Sequence, residues 1–352
     1  MTEEPAEGGP TAGAREGGGA SLAPIAGWVV AAGMVAVGIV VMVVALLAAG
    51  GAPKPLPAGL LGAGMPLSWS VPVLRFVADA AAVATGGALL AVVLFLPATD
   101  GKLGAKALRA CQDAALAAGI WAVASIGGLV TTAAVILGIP LAHLGEHASI
   151  AGQLTQVRAL AVAVVLTAIL AVVLSGCRTL RGARFAAVLT AAALVGPLLT
   201  GHGALDRTNV WSVLATSSLV VHVFAATVWV GGLAAVLRYA RSRQGVELFS
   251  GLALVCAVTM GITGLLTAEI HLGGREEGWA LITQWVTTGY GALVFAKAVA
   301  FTLLVAAGWW HRRTTLPRLE AGDPVAFRRL AVVELLIMAA TIGLAVALSR
   351  TP

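Results

Sequence analysis

One histidine in the middle of a long apolar stretch has the clearest chemical potential in this sequence. His222 lies within the run Ser218–Tyr239. A helix that begins near Val210 would place it about 18 Å along the axis, close to the midplane of a hydrocarbon layer about 30 Å thick. An ionisable side chain is costly at that depth, which indicates a functional site. The alternative is an imidazole that hydrogen-bonds a neighbouring Ser, Thr or carbonyl group and organises helix packing.

A methionine in a later apolar stretch has a related potential. Met260 lies in VCAVTMGITGLLTAEIH, at a depth similar to that of His222 when it is counted from the opposite end of its stretch. A thioether that faces an imidazole suits Cu(I), which prefers soft ligands. A single methionine in a membrane helix also has a plainer use, because its flexible side chain fills gaps in packing.

Further histidines lie between apolar stretches or at their ends. His143 and His147 are spaced i, i+4, so on a helix they share a face and offer two imidazoles to copper or zinc. Glu146 stands beside them as a group that could orient a ring. His202 and His271 follow in later connections. The alternative is a solvated loop that carries incidental histidines.

Charged residues inside the apolar stretches form a second set. Arg75 and Asp79 are spaced i, i+4, which predicts an ion pair within one helix and lowers the cost of burying either charge. Lys297, Glu334 and Glu269 lie in later stretches or at their ends. Two uses are open for Asp79 and Glu334: they are carboxylates of a proton relay, or they form ion pairs that hold helices together.

The composition excludes several classes of protein. The chain is 59% hydrophobic and 11% charged, which is typical of a polytopic membrane protein and not of a soluble or disordered chain. Its basic residues are not interleaved with aromatic ones, so no nucleic-acid partner is expected. The sequence has no nucleophile–base pair, phosphate loop or HExxH motif, so we do not expect an enzyme. Three cysteines far apart in the sequence predict neither a disulfide framework nor a thiolate metal site.

The elements that must position these residues are about nine transmembrane helices in an all-α bundle. Residues 1–24 predict a disordered tail, and residues 25–49 predict a retained membrane anchor. Four spans then fall within residues 71–199 and four within residues 210–352. Their predicted bounds are 71–96, 113–139, 155–176, 184–199, 210–237, 249–268, 289–310 and 328–349.

The basic residues fall in every second loop. This asymmetry predicts that those loops and the N-terminal tail are cytoplasmic and that the C-terminus lies outside. The same orientation places His311 on the inner side. It places the other loop histidines on the outer side, namely His143, His147, His202 and His271.

At several motifs the sequence resembles the copper resistance protein D family. Their order and spacing resemble the membrane domain of that family over residues 210–352, and residues 71–199 resemble the upstream part of longer members. The residues that carry the resemblance are His222, Trp229, Gly231 and Gly232 of the HVFAATVWVGGL run, Thr263 and Gly264 of ITG, Tyr290 and Gly291, Lys297, the basic loop at residues 311–313, and Glu334.

That resemblance implies a copper-handling, multi-pass protein of the bacterial plasma (inner) membrane. Copper ion is then the ligand, the outer histidines collect it, and His222 with Met260 passes it on. An extracytoplasmic (periplasmic) copper chaperone or an oxidase-assembly protein is an implied partner, beside the lipid bilayer. Two alternatives remain: a haem-binding redox protein with His222 as an axial ligand, and a scaffold for oxidase assembly that binds no ligand.

Overall fold

The chain folds into a bundle of helices. The structure, a computed structural model, describes residues 23–55, 62–199, 210–272, 280–315 and 324–351. The helices are α1 (Ala23–Ala48), α2 (Met65–Leu90), α3 (Ala105–Leu137), α4 (Ala148–Ala151), α5 (Thr155–Ser175), α6 (Leu180–Leu198), α7 (Val210–Tyr239), α8 (Arg243–Leu272), α9 (Ala280–Thr287), α10 (Gly289–Trp310) and α11 (Pro324–Leu348). Two short strands, β1 (Ala98–Thr99) and β2 (Lys102–Leu103), pair as an antiparallel hairpin between α2 and α3. The predicted all-α polytopic membrane bundle is confirmed.

Eight of these helices are long and apolar enough to cross a membrane, counted over the described residues. Besides the short helices α4 and α9, the helix outside this set is α6, which corresponds to the predicted span at residues 184–199. Its first turns carry Arg181 and Arg184, and these charges lower its hydropathy.

The start of α6 and the end of α7 lie at the same end of the bundle. Just before α6, Thr179 pairs with Lys102 of the β1–β2 hairpin. The last residue of α7, Tyr239, donates a hydrogen bond to Asp113 near the start of α3. Both contacts lie at the end of the bundle that carries the basic loops, hereafter the basic end. The predicted span at residues 184–199 is therefore a helix that starts at the basic end, although eight of the described helices, and not the expected nine, have the length and hydropathy of a membrane crossing.

Several helices begin earlier than hydropathy predicts. α2 begins at Met65, not at the predicted residue 71, and Pro66 occupies its first turn, a position that favours proline. α3 begins at Ala105 and α8 at Arg243, well before the predicted 113 and 249. These added turns are polar or charged, which hydropathy leaves out of a span although the helix continues through them.

The helices form two packed groups. One apolar cluster joins α2, α3, α5 and α6, and a second joins α7, α8, α10 and α11. α1, predicted as a separate anchor, packs on α11 and α2 through Met42 and Leu46, which meet Phe76 and Val346.

Two glycines join the groups where α2 crosses α7. A methyl group added to Gly87 would come within 2.4 Å of the Gly231 carbonyl oxygen. One added to Gly231 would come within 2.7 Å of the Val83 carbonyl oxygen. A methyl group added to Gly232 would come within 2.8 Å of the Phe249 side chain and 3.2 Å of the Leu90 side chain. Gly231 and Gly232 therefore allow close helix packing, as small residues do in membrane helices.

Candidate functional site

The intramembrane histidine is held by the neighbouring helix. Nδ1 of His222 on α7 lies 2.9 Å from Oγ1 of Thr263 on α8. Thr263 is itself buried, and its hydroxyl lies 2.7 Å from the Thr259 carbonyl oxygen. His222 is half-buried, so it sits inside the bundle at the place where α7 and α8 face each other.

These two hydrogen bonds fix the tautomer of a neutral His222. A threonine hydroxyl has one proton to donate, and Thr263 gives it to the Thr259 carbonyl. Oγ1 must then accept from His222, so the ring carries its proton on Nδ1. Nε2 is left with a lone pair, the form in which a neutral imidazole binds metal.

More polar side chains follow the same helix pair. Ser218, one turn before His222, donates to the Thr263 carbonyl oxygen at 3.2 Å and lies 3.4 Å from the Thr267 hydroxyl. A methyl group added to Gly264 would lie 3.7 Å from Cε1 of His222, an ordinary contact. The ring is therefore packed on one edge and hydrogen-bonded on another.

One charged side chain acts on this position from α10. Lys297 is half-buried and close enough for its charge to act on His222. Within the described ranges it makes no hydrogen bond or ion pair. An ammonium group near Nε2 repels a bound cation, so metal binding at His222 and the charge on Lys297 oppose each other.

Met260 lies one turn from Thr263 on α8, nearer the basic end. It packs against the apolar cluster that contains Trp229 and Phe249. The structure thus places Met260 one turn from the residue that holds His222 and shows it in the packing use of methionine.

The HxxxH segment is not a single helix. Residues 141–143 form a 3-10 turn, and α4 begins only at Ala148. Nδ1 of His147 lies 3.1 Å from the His143 carbonyl oxygen, and Nδ1 of His143 lies 3.5 Å from a Glu146 carboxylate oxygen. The condition for a shared helix face, a helix that runs through both histidines, is therefore not met. Each ring has one nitrogen engaged locally, that of His143 by Glu146, and metal binding by the two histidines stays a prediction.

The remaining outer histidines are not gathered with this pair. His271 lies at the end of α8. Its Nδ1–H donates to the Thr267 carbonyl oxygen at 2.9 Å, and its ring stacks on Tyr290 with ring centroids 5.8 Å apart. His202 lies outside the described residues. Across the part of the chain that is described, no three His, Cys, Asp or Glu side chains converge on a metal-sized site.

Two motif residues have structural uses near His271. Thr288 caps α10 by accepting from the Gly291 backbone N–H at 2.9 Å. A methyl group on Gly291 would come within 2.0 Å of the Gln284 carbonyl oxygen, so only glycine lets α9 and α10 meet here. Tyr290 supplies the ring that stacks on His271.

The acidic residues of the second set have separate surroundings. Arg75 Nε donates to Asp79 at 3.1 Å within α2, the intrahelical pair that the spacing predicts. Glu269 is half-buried near the end of α8. Glu334 on α11 is buried, with 6% of its surface exposed, and it is the most enclosed carboxylate among these three.

The sequence reasoning missed the partner of Glu334. Nε2 of His311, at the end of α10, lies 3.6 Å from Oε1 of Glu334. The distribution of basic residues places His311 on the inner side with the basic loop, apart from the outer histidines that are predicted to bind metal. Both residues line a cavity of about 240 Å³ together with Trp229 and Phe249. The position of Glu334 in an apolar stretch indicates that this carboxylate has a partner. The partner lies on another helix, so spacing within one segment of the sequence does not identify it.

The three cysteines are free and buried. Although they are distant in sequence, Cys111 and Cys177 both belong to the apolar cluster of α2, α3, α5 and α6.

Comparison with protein families gives one match. Residues 243–348 match the family described as Copper resistance protein D, which confirms the resemblance over that segment. The segment begins at α8, so Thr263, Gly264, Tyr290, Gly291, Lys297, His311 and Glu334 lie within it, whereas His222, Trp229, Gly231 and Gly232 on α7 precede it. Comparison with curated proteins and with solved structures gives no match.

Proposed function

We propose, on the premise that residues 243–348 form a copper resistance protein D segment, that this multi-pass membrane protein binds copper inside the bilayer. In this proposal it carries the ion across the bacterial plasma membrane or delivers it within that membrane. The observation that carries the proposal is the hydrogen bond from His222 to Thr263. It leaves Nε2 free to bind and anchors the ring to a helix of the matched segment.

The outer residues have a supporting part in this proposal. In both His143 and His147 the local contact is made by Nδ1. Nε2 is then the ring nitrogen proposed to bind copper. Two such imidazoles suit loose capture of copper from an extracytoplasmic chaperone. His202, His271 and Met260 complete the set of residues proposed to bind the ion on its way.

The chemistry of His222 agrees with passage rather than storage. A single imidazole in a site with a nearby amine, Lys297, is a weak copper site. An ion in transit must bind well enough to enter and weakly enough to leave. Proton release from Lys297 as copper arrives would remove the repulsion between the two charges.

The haem alternative receives no support from the described histidines. An axial pair needs a second ligand at the depth of His222. His143 and His147 lie in a loop, whereas His271 and His311 lie at helix ends. The ligand-free scaffold predicts that the histidines can be replaced without loss of any metal.

An anaerobic Cu(I) titration of the purified chain against a competing chelator tests the proposal. We expect His222→Gln to lose one of the copper equivalents that wild type binds. We expect the His143→Gln/His147→Gln variant to lose a weaker equivalent. Thr267→Val, on the same helix face, serves as the control. Wild-type protein that binds no copper would contradict the proposal and favour the scaffold.

A further inference from the structure

The cavity beside Glu334 is the second place where polar groups face one another inside the bundle. The Glu334 side chain is 8% exposed and that of His311 is 14% exposed. Oε1 of Glu334 is fully enclosed and receives no hydrogen bond from the residues that the structure describes. A buried carboxylate oxygen without a donor is costly, so a bound cation would stabilise this atom.

The separation of the two facing atoms suits one shared metal ion. Oε1 of Glu334 and Nε2 of His311 are 3.6 Å apart, which is too long for a hydrogen bond. Two bonds of about 2.1 Å that meet at about 120° would hold their donor atoms about 3.6 Å apart. A trigonal ion bound by these residues keeps its third position open towards the cavity.

The cavity lies on the basic-end side of His222 along two helices. On α7, Trp229 lines it and lies one heptad after His222, about 10 Å along the axis. On α8, Ala253 and Ala257 line it, and the next turns of the same face carry Met260 and then Thr263. Met260 thus lies between the His222 position and the cavity.

We propose that His311 and Glu334 form an inner copper station, at which an ion that has passed His222 and Met260 is held before release at the basic end. The proposal deepens the proposed function and rests on it. It gives roles to His311 and to the cavity that Trp229 lines. A route made only of the outer histidines and His222 uses neither of them.

The ligand set fits release better than retention. The Glu334 carboxylate neutralises the ion in a cavity whose other walls are largely apolar, and the His311 imidazole is the softer donor. Carboxylate oxygen is a poor partner for Cu(I), so an incoming thiolate on the open third position would displace it. Arg312, held by Ser250 through bonds of 2.6 Å, lies at the same cavity and suits the approach of an anionic acceptor.

The test compares copper binding by full-length purified variants under anaerobic Cu(I). We expect Glu334→Gln and His311→Gln each to lose one weakly held equivalent, and the double variant to lose no more than either single one. Glu247→Gln is the matched control, because this exposed glutamate near the same end pairs with Arg243 at 2.7 Å outside the cavity. Thermal unfolding of each variant reports whether it folds.

The outcomes separate this proposal from the one on which it rests. Loss of the weak equivalent in either folded variant supports the inner station, and His311→Gln decides alone if Glu334→Gln does not fold. Unchanged binding in both, with copper still lost in His222→Gln, overturns the inner station and leaves the proposed function intact. If wild type binds no Cu(I), both are overturned.

Discussion

His222 owes its orientation and its proton position to Thr263, a neighbour 41 positions away in the sequence. The Thr263 hydroxyl uses its proton on its own helix and so can only accept from the imidazole. The same helix contact fixes both the position of the ring and the nitrogen that remains available. A residue that hydrogen-bonds a metal-ligating histidine without touching the metal orients the ring and raises its affinity for the metal.

Thr263→Val is expected to weaken copper binding at His222 by roughly ten- to a hundredfold, because the ring loses its anchor and its fixed tautomer. Chelator competition measures the change. Thr267→Val is the matched control, since the Thr267 hydroxyl lies 3.4 Å from that of Ser218, whereas it is the Thr263 hydroxyl that meets His222. Equal losses in the two variants would contradict the role assigned to the Thr263 hydroxyl.

At this scale the sequence predicts single residues better than pairs between helices. The depth of His222 and the Arg75–Asp79 spacing follow from counting along one helix. The contacts His222–Thr263 and His311–Glu334 join different helices, so they depend on helix rotation and packing, which spacing does not contain. The shared helix face at HxxxH is not formed for a local reason, because Gly145 and the residues around it form turns in place of a helix.

Among the elements, the contact between α2 and α7 depends on the absence of side chains. Gly87 and Gly231 bring the two backbones together so closely that no methyl group fits on either one. Such contacts gain packing and weak backbone interactions in lipid, where apolar burial gives little driving force between helices.

Gly231→Ala is expected to lower the free energy of unfolding by about 1–3 kcal/mol, as overpacking of a tight interface does. A thiol-reactive fluorogenic dye in a thermal ramp measures it, because Cys111, Cys177 and Cys256 are buried and become reactive on unfolding. Gly251→Ala is the control, since nothing lies within 4 Å of a methyl group there. An unchanged melting temperature in Gly231→Ala would contradict the tight interface.

Helix existence was predictable at this scale, and helix ends were not. Apolar runs identify the crossing helices, but α8 begins with Arg243 and Gln244 and α3 with Ala105 and Lys106. Polar first turns continue the hydrogen-bonded backbone outside the apolar layer, where hydropathy has no signal.

For the whole molecule, the orientation in the membrane stays a prediction from the distribution of basic residues. The structure adds that the loop at residues 176–179 pairs with the hairpin at residues 98–103. Arg238 meets Asp113 at 2.8 Å nearby. These basic segments share one end of the bundle, as a common cytoplasmic side requires.

Single-cysteine labelling tests that orientation. Lys106→Cys and Ser149→Cys introduce exposed thiols at the basic and opposite ends, against three buried native cysteines. A membrane-impermeant maleimide is applied to cells whose plasma membrane is intact and whose outer envelope lets the reagent through. It should label Ser149→Cys at once and Lys106→Cys only after the plasma membrane is permeabilised. The reverse order would mean that the chain is inserted with the opposite topology.

The glycine contact between α2 and α7 also has a mechanical consequence. At the Gly87–Gly231 contact the backbones of α2 and α7 cannot slide or separate without losing their packing. This contact would therefore act as a pivot. On the far side α8 and α10 touch at few positions, with the 240 Å³ cavity between them. A conformational change that exposes the His222 site to one face of the membrane and then to the other would therefore move α8 and α10. We expect α2 and α7 to stay fixed during that change.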